Sequence, residues 1–294
     1  MSTVLRSVGR VVQLHQQRIS AGFSAFRLNG AQLNVDPLLN IDWFDMSQPI
    51  FRPHPHAGFS AVTYLLPGSP GSFMNRDSRG NKEPIHPGDV HWTTAGSGVV
   101  HEEVPVQAGV SCQGLQIFVN LPPQLKSVEP RADHLSSDAI PLYSSPDNAK
   151  VRVIAGSVGG VTSPLQLVYP VTLLHVQLPQ GSSLQHKVPP GHTVLLLVLE
   201  GEVRVAQGLP AAPSSWTYLP FASAADMQGE GEVQLHGPAE GSEASSGQVL
   251  LFSGQPIGAP VVWRGPFCGN STAEVERWAR AYQAGSMGSL EASF

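Results

Sequence analysis

The sequence predicts an all-β protein made of two similar sheet-forming units in tandem with one short helix at the end. Three observations carry that prediction. The 294 residues include 30 glycines and 26 prolines but only 13% charged residues, against about 25% in an average soluble domain. Such a chain is rich in turns and poor in the solvated faces of long surface helices. Short runs of aliphatic and β-branched residues also recur between turn signals, as short strands do. Finally, the two halves echo each other. Tyr64-Leu-Leu-Pro-Gly68 matches Leu197-Val-Leu-Glu-Gly201, and Gly88-Asp89-Val90 leading to Ala95-Gly96 matches Gly247-Gln248-Val249 leading to Ser253-Gly254.

Taken in order, Arg10–Leu14 and Phe23–Phe26 alternate like strands of a mature domain. Strands are expected at Ser60–Leu66, Val90–Thr93 and Gly114–Asn120 in the first half. In the second half they are expected at Val151–Ala155, Thr172–Leu178, Val194–Leu199, Glu202–Ala206 and Val249–Phe252. Leu66-Pro67-Gly68, His86-Pro87-Gly88-Asp89, Pro189-Pro190-Gly191 and Leu199-Glu200-Gly201 supply turns between them. The stretch 122–149, heavy in Pro, Ser and Asp, is the expected boundary and divides the chain into residues 1–135 and 136–294. The helix starts at a capping box, Ser271-x-x-Glu274. It carries an apolar stripe of Val275, Trp278, Ala279 and Tyr282 and stops at Gly285, which reads as a helix docked on a sheet.

Several function classes are excluded. The net charge is −5 and the 17 basic residues form no run, so no direct nucleic-acid binding is expected. The longest apolar run, Val194–Leu199, falls far short of the ~20 residues that span a membrane. The two cysteines, Cys112 and Cys268, form no CxxC pair, which favours a reducing, cytoplasmic setting over a disulfide framework. Arg6, Arg10, Arg18 and Arg27 precede the first acidic residue, Asp36, as in a transit peptide. The strand-like alternation in the same stretch argues for a mature domain instead.

Chemistry concentrates in the histidines. Five of eleven lie between residues 54 and 101, including His54-Pro55-His56 and His101-Glu102-Glu103. On a strand, residues two apart share a face, so each pair presents two ligands side by side. Two facing pairs would offer a metal three imidazoles and one carboxylate, with coordination positions left open. The spacing alone is weak, because chance supplies about 0.4 H-x-H pairs in a chain of this composition. Two surface loops that happen to carry histidine fit it equally well.

The surrounding residues narrow the choice. His54-Pro-His56-x-Gly58-Phe59, Asp77-Ser78-x-Gly80-Asn81 and Pro87-Gly88-Asp89-Val90 are followed by Trp92 and Thr94-Ala-Gly96-x-Gly98. Then come His101-x-Glu103-x-Pro105, Gly114-Leu-Gln116 and Asn120-Leu-Pro122. Together with Gly254-Gln255-Pro256, Pro260-Val261 and Gly265-Pro266-Phe267, this pattern resembles the pirin family of bicupins over nearly the whole chain. The resemblance implies two tandem cupin (jelly-roll-like) β-barrels with a short C-terminal helix, the first binding metal and the second not. It implies one Fe(II) per chain, held by His54, His56, His101 and Glu103; Mn, Ni or Zn suit the same donors. Repeat alignment places Lys187, Pro189, Ala259 and Val261 at the corresponding positions of the second half, none of which can rebuild the set. His186 and His192 also lie there, with no ligand role expected.

The resemblance further implies a dioxygenase that uses O2 on a flavonol of the quercetin type or a similar aromatic substrate, with Glu103 as both ligand and base. Phe51, Phe59 and Trp92 are candidates to stack on a flat substrate, with core packing as the alternative. A second reading is a non-enzymatic, iron- or redox-responsive regulator that binds a transcription factor or metabolic enzyme. A third is a cupin that binds Zn or Ni adventitiously. A monomer is expected. The chain departs from the family at Ser60, Asn75 and His91, where glutamate, histidine and glutamine are usual, and in an inserted stretch at Pro67–Ser72. Substrate choice is where these departures are expected to act.

Overall fold

A computed structural model describes residues 4–6, 8–9, 11–30, 35–206, 209–211, 213–220 and 226–294. Arg10, expected to open a strand, lies outside them. Strands dominate, and the one α-helix among the described residues is Thr272–Gln283. None of their helices is long and apolar enough to cross a membrane.

The described residues form two compact units. One contains residues 16–32, 37–139 and 257–294; the other contains 1–15, 33–36 and 140–256. The change of unit at 139/140 falls in the Pro/Ser/Asp-rich stretch, four residues beyond the expected 135/136. The two chain ends group differently from a simple cut into halves, with the last 38 residues counted in the N-terminal unit.

In the N-terminal unit, a seven-stranded antiparallel sheet runs in the order 131–135, 90–94, 59–65, 112–120, 38–46, 23–29, 16–20. A four-stranded sheet runs 54–56, 99–105, 73–77, 82–85. The central strand Phe59–Leu65 is buried at every position, as a strand covered on both faces must be. The other unit repeats the large sheet in the order 142–144, 150–155, 171–179, 246–254, 193–201, 215–218, 11–13. All eight strands expected from the sequence are present; six are longer than expected, by one to five residues, one is shifted by a residue, and Val203–Val205 is shorter.

One part of the repeat alignment is corrected. By sheet order, Phe59–Leu65 and Thr193–Gly201 do correspond. The counterpart of Val90–Thr94, however, is Ser215–Tyr218, while Ser246–Gly254 corresponds to Cys112–Asn120. The strands equivalent to those bearing His54, His56, His101 and Glu103 are therefore Ser183–Val188 and Gly231–His236. Their inward faces carry Leu184, Val188, Val233 and Leu235, which join the large apolar core of that unit, together with buried His186. Similar turn residues had aligned two strands that occupy different places in the sheet.

The helix begins as its capping box predicts, with the Ser271 side chain accepting from the Glu274 amide. Gly285, at φ 73°, follows its end. Val275, Trp278 and Ala279 pack with Ala57, Val100, Phe267 and Met287, behind the strands that carry the histidines, while Tyr282 remains 39% exposed. Gly58 lies beneath this helix at φ +86°; a Cβ there would stand 2.1 Å from the Cys268 carbonyl oxygen and 2.6 Å from the Trp278 ring. Only glycine tolerates both that backbone and that approach.

The buried amine of Lys126 fixes the same corner. Its Nζ donates to the Gly58 carbonyl (2.8 Å), Asn120 Oδ1 (2.7 Å) and the Cys268 carbonyl (3.0 Å). Lys126→Met removes all three bonds; Asn120 Oδ1 keeps the Leu121 amide, while the Gly58 and Cys268 carbonyls lose this buried donor. A loss of about 3 kcal/mol is expected, since each orphaned buried acceptor costs 1–3 kcal/mol. Urea unfolding of wild type and variant measures it, and a difference below about 1 kcal/mol contradicts this role.

Candidate metal centre

His54 and His56 lie on the strand His54–His56, whose antiparallel neighbour places His101 opposite His54 and Val99 opposite His56. The two histidines of the first motif and the one of the second are thereby brought onto a single face. Their ring centroids form a near-equilateral triangle with sides of 4.8, 4.7 and 4.8 Å. Potential ligand atoms of all three lie within 4.8 Å of one another. Among the described residues this is the one group of three or more His, Cys, Asp or Glu placed to hold a metal ion.

The electrostatics suit a cation. Burial holds the His54 ring below its ordinary pKa. Burial, reinforced by neighbouring His54, takes His56 down to about 3. Burial and the adjacent imidazoles hold His101 well below 6.5. All three rings are therefore neutral lone-pair donors at physiological pH. His54 Nδ1 lies 2.9 Å from the Arg52 carbonyl, which calls for the proton on Nδ1 and leaves Nε2 as the donor atom. His101 Nδ1 is buried without a protein partner. These residues fit a divalent metal.

Glu103 lies on the same strand as His101 and lines the same cavity, but its carboxylate is engaged elsewhere. The Thr63 hydroxyl lies 2.8 and 2.7 Å from its two oxygens and 3.1 Å from Gln116 Oε1. Burial pushes the Glu103 carboxyl up to about 7, against the downward pull of the Thr63 hydrogen bond. The structure thus brings the three histidines together and sets Glu103 beside them as a buried acid–base group.

The cavity holds about 470 Å³, within the range of small-molecule sites. Phe23, Phe44, Phe51, Phe73, Phe118 and Trp263 supply its apolar wall, and Arg27, Asp42 and Gln116 a polar strip. Of the three aromatic candidates, Phe51 lines it. Phe59 is buried against the rings of His56 and Phe118, and Trp92 belongs to the core. Thr63, Gln116, Phe118, Arg27 and Asp42 were not singled out from the sequence for this cavity. Their signal is phase, because polar or aromatic residues occupy the inward positions of strands.

The family departures fall outside the cavity wall. Ser60 lies on the opposite face of its strand from Thr63, buried beside Thr94. Asn75 and His91 are the cross-strand neighbours of Glu103 and Thr63. Their side-chain polar atoms are buried without protein partners.

Comparison with known proteins agrees with this architecture. The pirin family model matches residues 12–119, and the pirin C-terminal cupin domain matches 173–288. The chain belongs to the pirin family. This pirin is 36% identical to a pirin-like protein of Solanum lycopersicum over 261 residues, 87% of this chain and 83% of that one. Among solved structures it is similar to a quercetin 2,3-dioxygenase from Acinetobacter baumannii. The TM-score is 0.83 at 27% identity, covering 97% and 99% of the two chains. The bacterial pirin YhhW from Escherichia coli, solved in complex with nickel(II), shares the fold (TM-score 0.62, 16% identity, 84% of this chain and 100% of that one).

Proposed function

We propose that this pirin is a metal-dependent dioxygenase that uses O2 on a flavonol of the quercetin type or a related flat aromatic substrate. The observation that carries the reading is the convergence of three neutral imidazoles on the wall of a 470 Å³ aromatic cavity, with a protonatable carboxylate on the same strand. His54, His56 and His101, with Glu103, would hold one divalent ion, Fe(II) by preference; Mn, Ni and Zn suit the same donors. A bound ion supplies Lewis acidity and, when it is iron, one-electron redox chemistry.

The protein's own groups handle the substrate and its proton. The aromatic walls bind a planar ring system and exclude water from it. A flavonol hydroxyl must lose its proton to react as an anion, and Glu103 is the carboxylate beside the histidines that can take it. When Glu103 is ionised, the Thr63 hydroxyl donates to it. Once Glu103 is protonated, the Thr63 proton can turn to Gln116 Oε1, so Thr63 Oγ1 accepts from the new carboxyl. The site can take up a proton without orphaning a buried donor or acceptor.

The test is O2 uptake with quercetin by anaerobically Fe(II)-loaded protein beside His56→Ala. Uptake that disappears in the variant is the expected result. One bound iron per chain with no uptake overturns the reading and favours a protein partner that responds to the metal's redox state.

A further inference from the structure

The cavity's polar strip has a definite direction. Cross-strand register places Thr63 beside Gln116, Gln116 beside Asp42 and Asp42 beside Arg27. Cross-strand partners share a face, so these four form one row that starts at the Thr63–Glu103 bond and runs outward. Phe44 and Phe118, two residues either side of Gln116 in register, flank it. At about 4.8 Å per strand, Asp42 lies roughly 10 Å along the row from Thr63.

Gln116 is already committed, since its Oε1 faces Thr63 Oγ1 and its Nε2 donates to the Val62 carbonyl at 3.2 Å. Asp42 is not. Arg27 Nε and Nη2 take one lone pair from each carboxylate oxygen, at 3.1 and 3.4 Å. Of a carboxylate's roughly four acceptor sites, two remain. A group that only accepts, held by a fork on its outer side and open to an aromatic slot on the other, selects hydrogen-bond donors.

Resting on the flavonol reading above, we infer that Asp42, positioned by Arg27, is a specificity-determining residue that reads hydroxyl groups at the end of the substrate remote from the histidines. The preferred ligand is then a flat aromatic molecule with its metal-binding oxygens at one end and phenolic donors roughly 7–10 Å away, the length of the row.

The experiment compares quercetin with 3-hydroxyflavone, which keeps the 3-hydroxy-4-keto end and lacks the remote hydroxyls. Dissociation constants are read from quenching of tryptophan fluorescence, Trp263 being in the cavity wall. Zinc-loaded protein is used, because zinc does no redox chemistry. Wild type should bind quercetin at least about tenfold more tightly, the value of one charge-assisted hydrogen bond. Asp42→Leu should bring the ratio to within about twofold by weakening quercetin alone. Arg27→Met, which removes the fork that positions Asp42, should reduce the preference without weakening 3-hydroxyflavone. A ratio that survives Asp42→Leu, an equal loss for both flavonols, or a preference unchanged in Arg27→Met overturns the assignment. If wild type binds neither compound, the assignment falls together with the flavonol reading. Preferential binding without O2 uptake by the iron form upholds the assignment and overturns the dioxygenase reading alone.

Discussion

His101→Ala should yield a folded protein that no longer retains metal. His101 is central to the group, opposite His54 in the sheet and with ring centroids 4.7 and 4.8 Å from those of His54 and His56. Removing it leaves two imidazoles and a carboxylate already bonded to Thr63. Loss of a mere outer partner of a metal ligand typically costs 10–100-fold in affinity, so loss of a ligand should cost at least about 100-fold. Stability should suffer less. The deleted ring is buried, but its Nδ1 has no protein partner, so the small cavity left behind is partly offset by removal of an unsatisfied polar group. Metal content after anaerobic loading and dialysis measures the first effect. The second is read from the melting temperature with and without metal, because a ligand that binds only the folded state raises it by mass action. Wild type should show that rise and the variant should not. Undiminished metal content in His101→Ala would show that the three-histidine group is not the site.

Much of this centre is legible in the sequence because strand geometry is so regular. His54-Pro-His56 and His101-Glu-Glu103 each lie on one strand, and a period of two is enough to put each pair on one face. The meeting of the two pairs depends on a register, His101 opposite His54, that no local pattern encodes. Here the family resemblance supplied what spacing could not. The repeat alignment failed for a related reason. Gly-x-Val followed by a small residue and glycine fits any buried strand between tight turns, so Val90 and Val249 matched although their strands hold different places in the sheet. The strand Leu38–Met46 escaped notice because Asn40, Asp42 and Asp45 interrupt its apolar run. Asp42 faces the cavity, and Asp45 binds Ser111 and Gln113 near the other end. Polar residues inside a strand read as loop until a cavity or a partner for them is seen. The terminal helix was clear in itself, but the side it covers followed only from the contacts of Trp278 and Val275 with Ala57 and Val100.

Glu103→Gln separates the proton-handling role proposed for Glu103 from the proposed metal-holding one. Glutamine has nearly the same shape and its carbonyl still accepts from Thr63, while it can neither take a proton nor carry charge. The three histidines remain and the glutamine carbonyl can still face the ion, so metal affinity should fall less than in His101→Ala. Turnover of a flavonol should fall by about 10²–10⁴, the usual contribution of a positioned general base. A second readout needs no turnover. In metal-free protein, burial raises the Glu103 carboxyl from 4.5 to about 7, so between those values the folded state binds more protons than the unfolded state. This group's contribution to stability is therefore full below about pH 4.5 and is lost as pH rises through about 7. Glutamine does not titrate. Chelated Glu103→Gln should match wild type near pH 4.5 and exceed it by about 3 kcal/mol at pH 8, since each pKa unit is worth 1.36 kcal/mol. Denaturant unfolding of the two proteins at matched pH tests this directly. The histidine group titrates in both, so its opposite, acid-side loss cancels in the difference. A pH-independent gap would mean that the carboxylate is not forced into its neutral form by burial. Its role would then reduce to that of a charged neighbour of the metal, and the base in the reaction would have to be sought elsewhere.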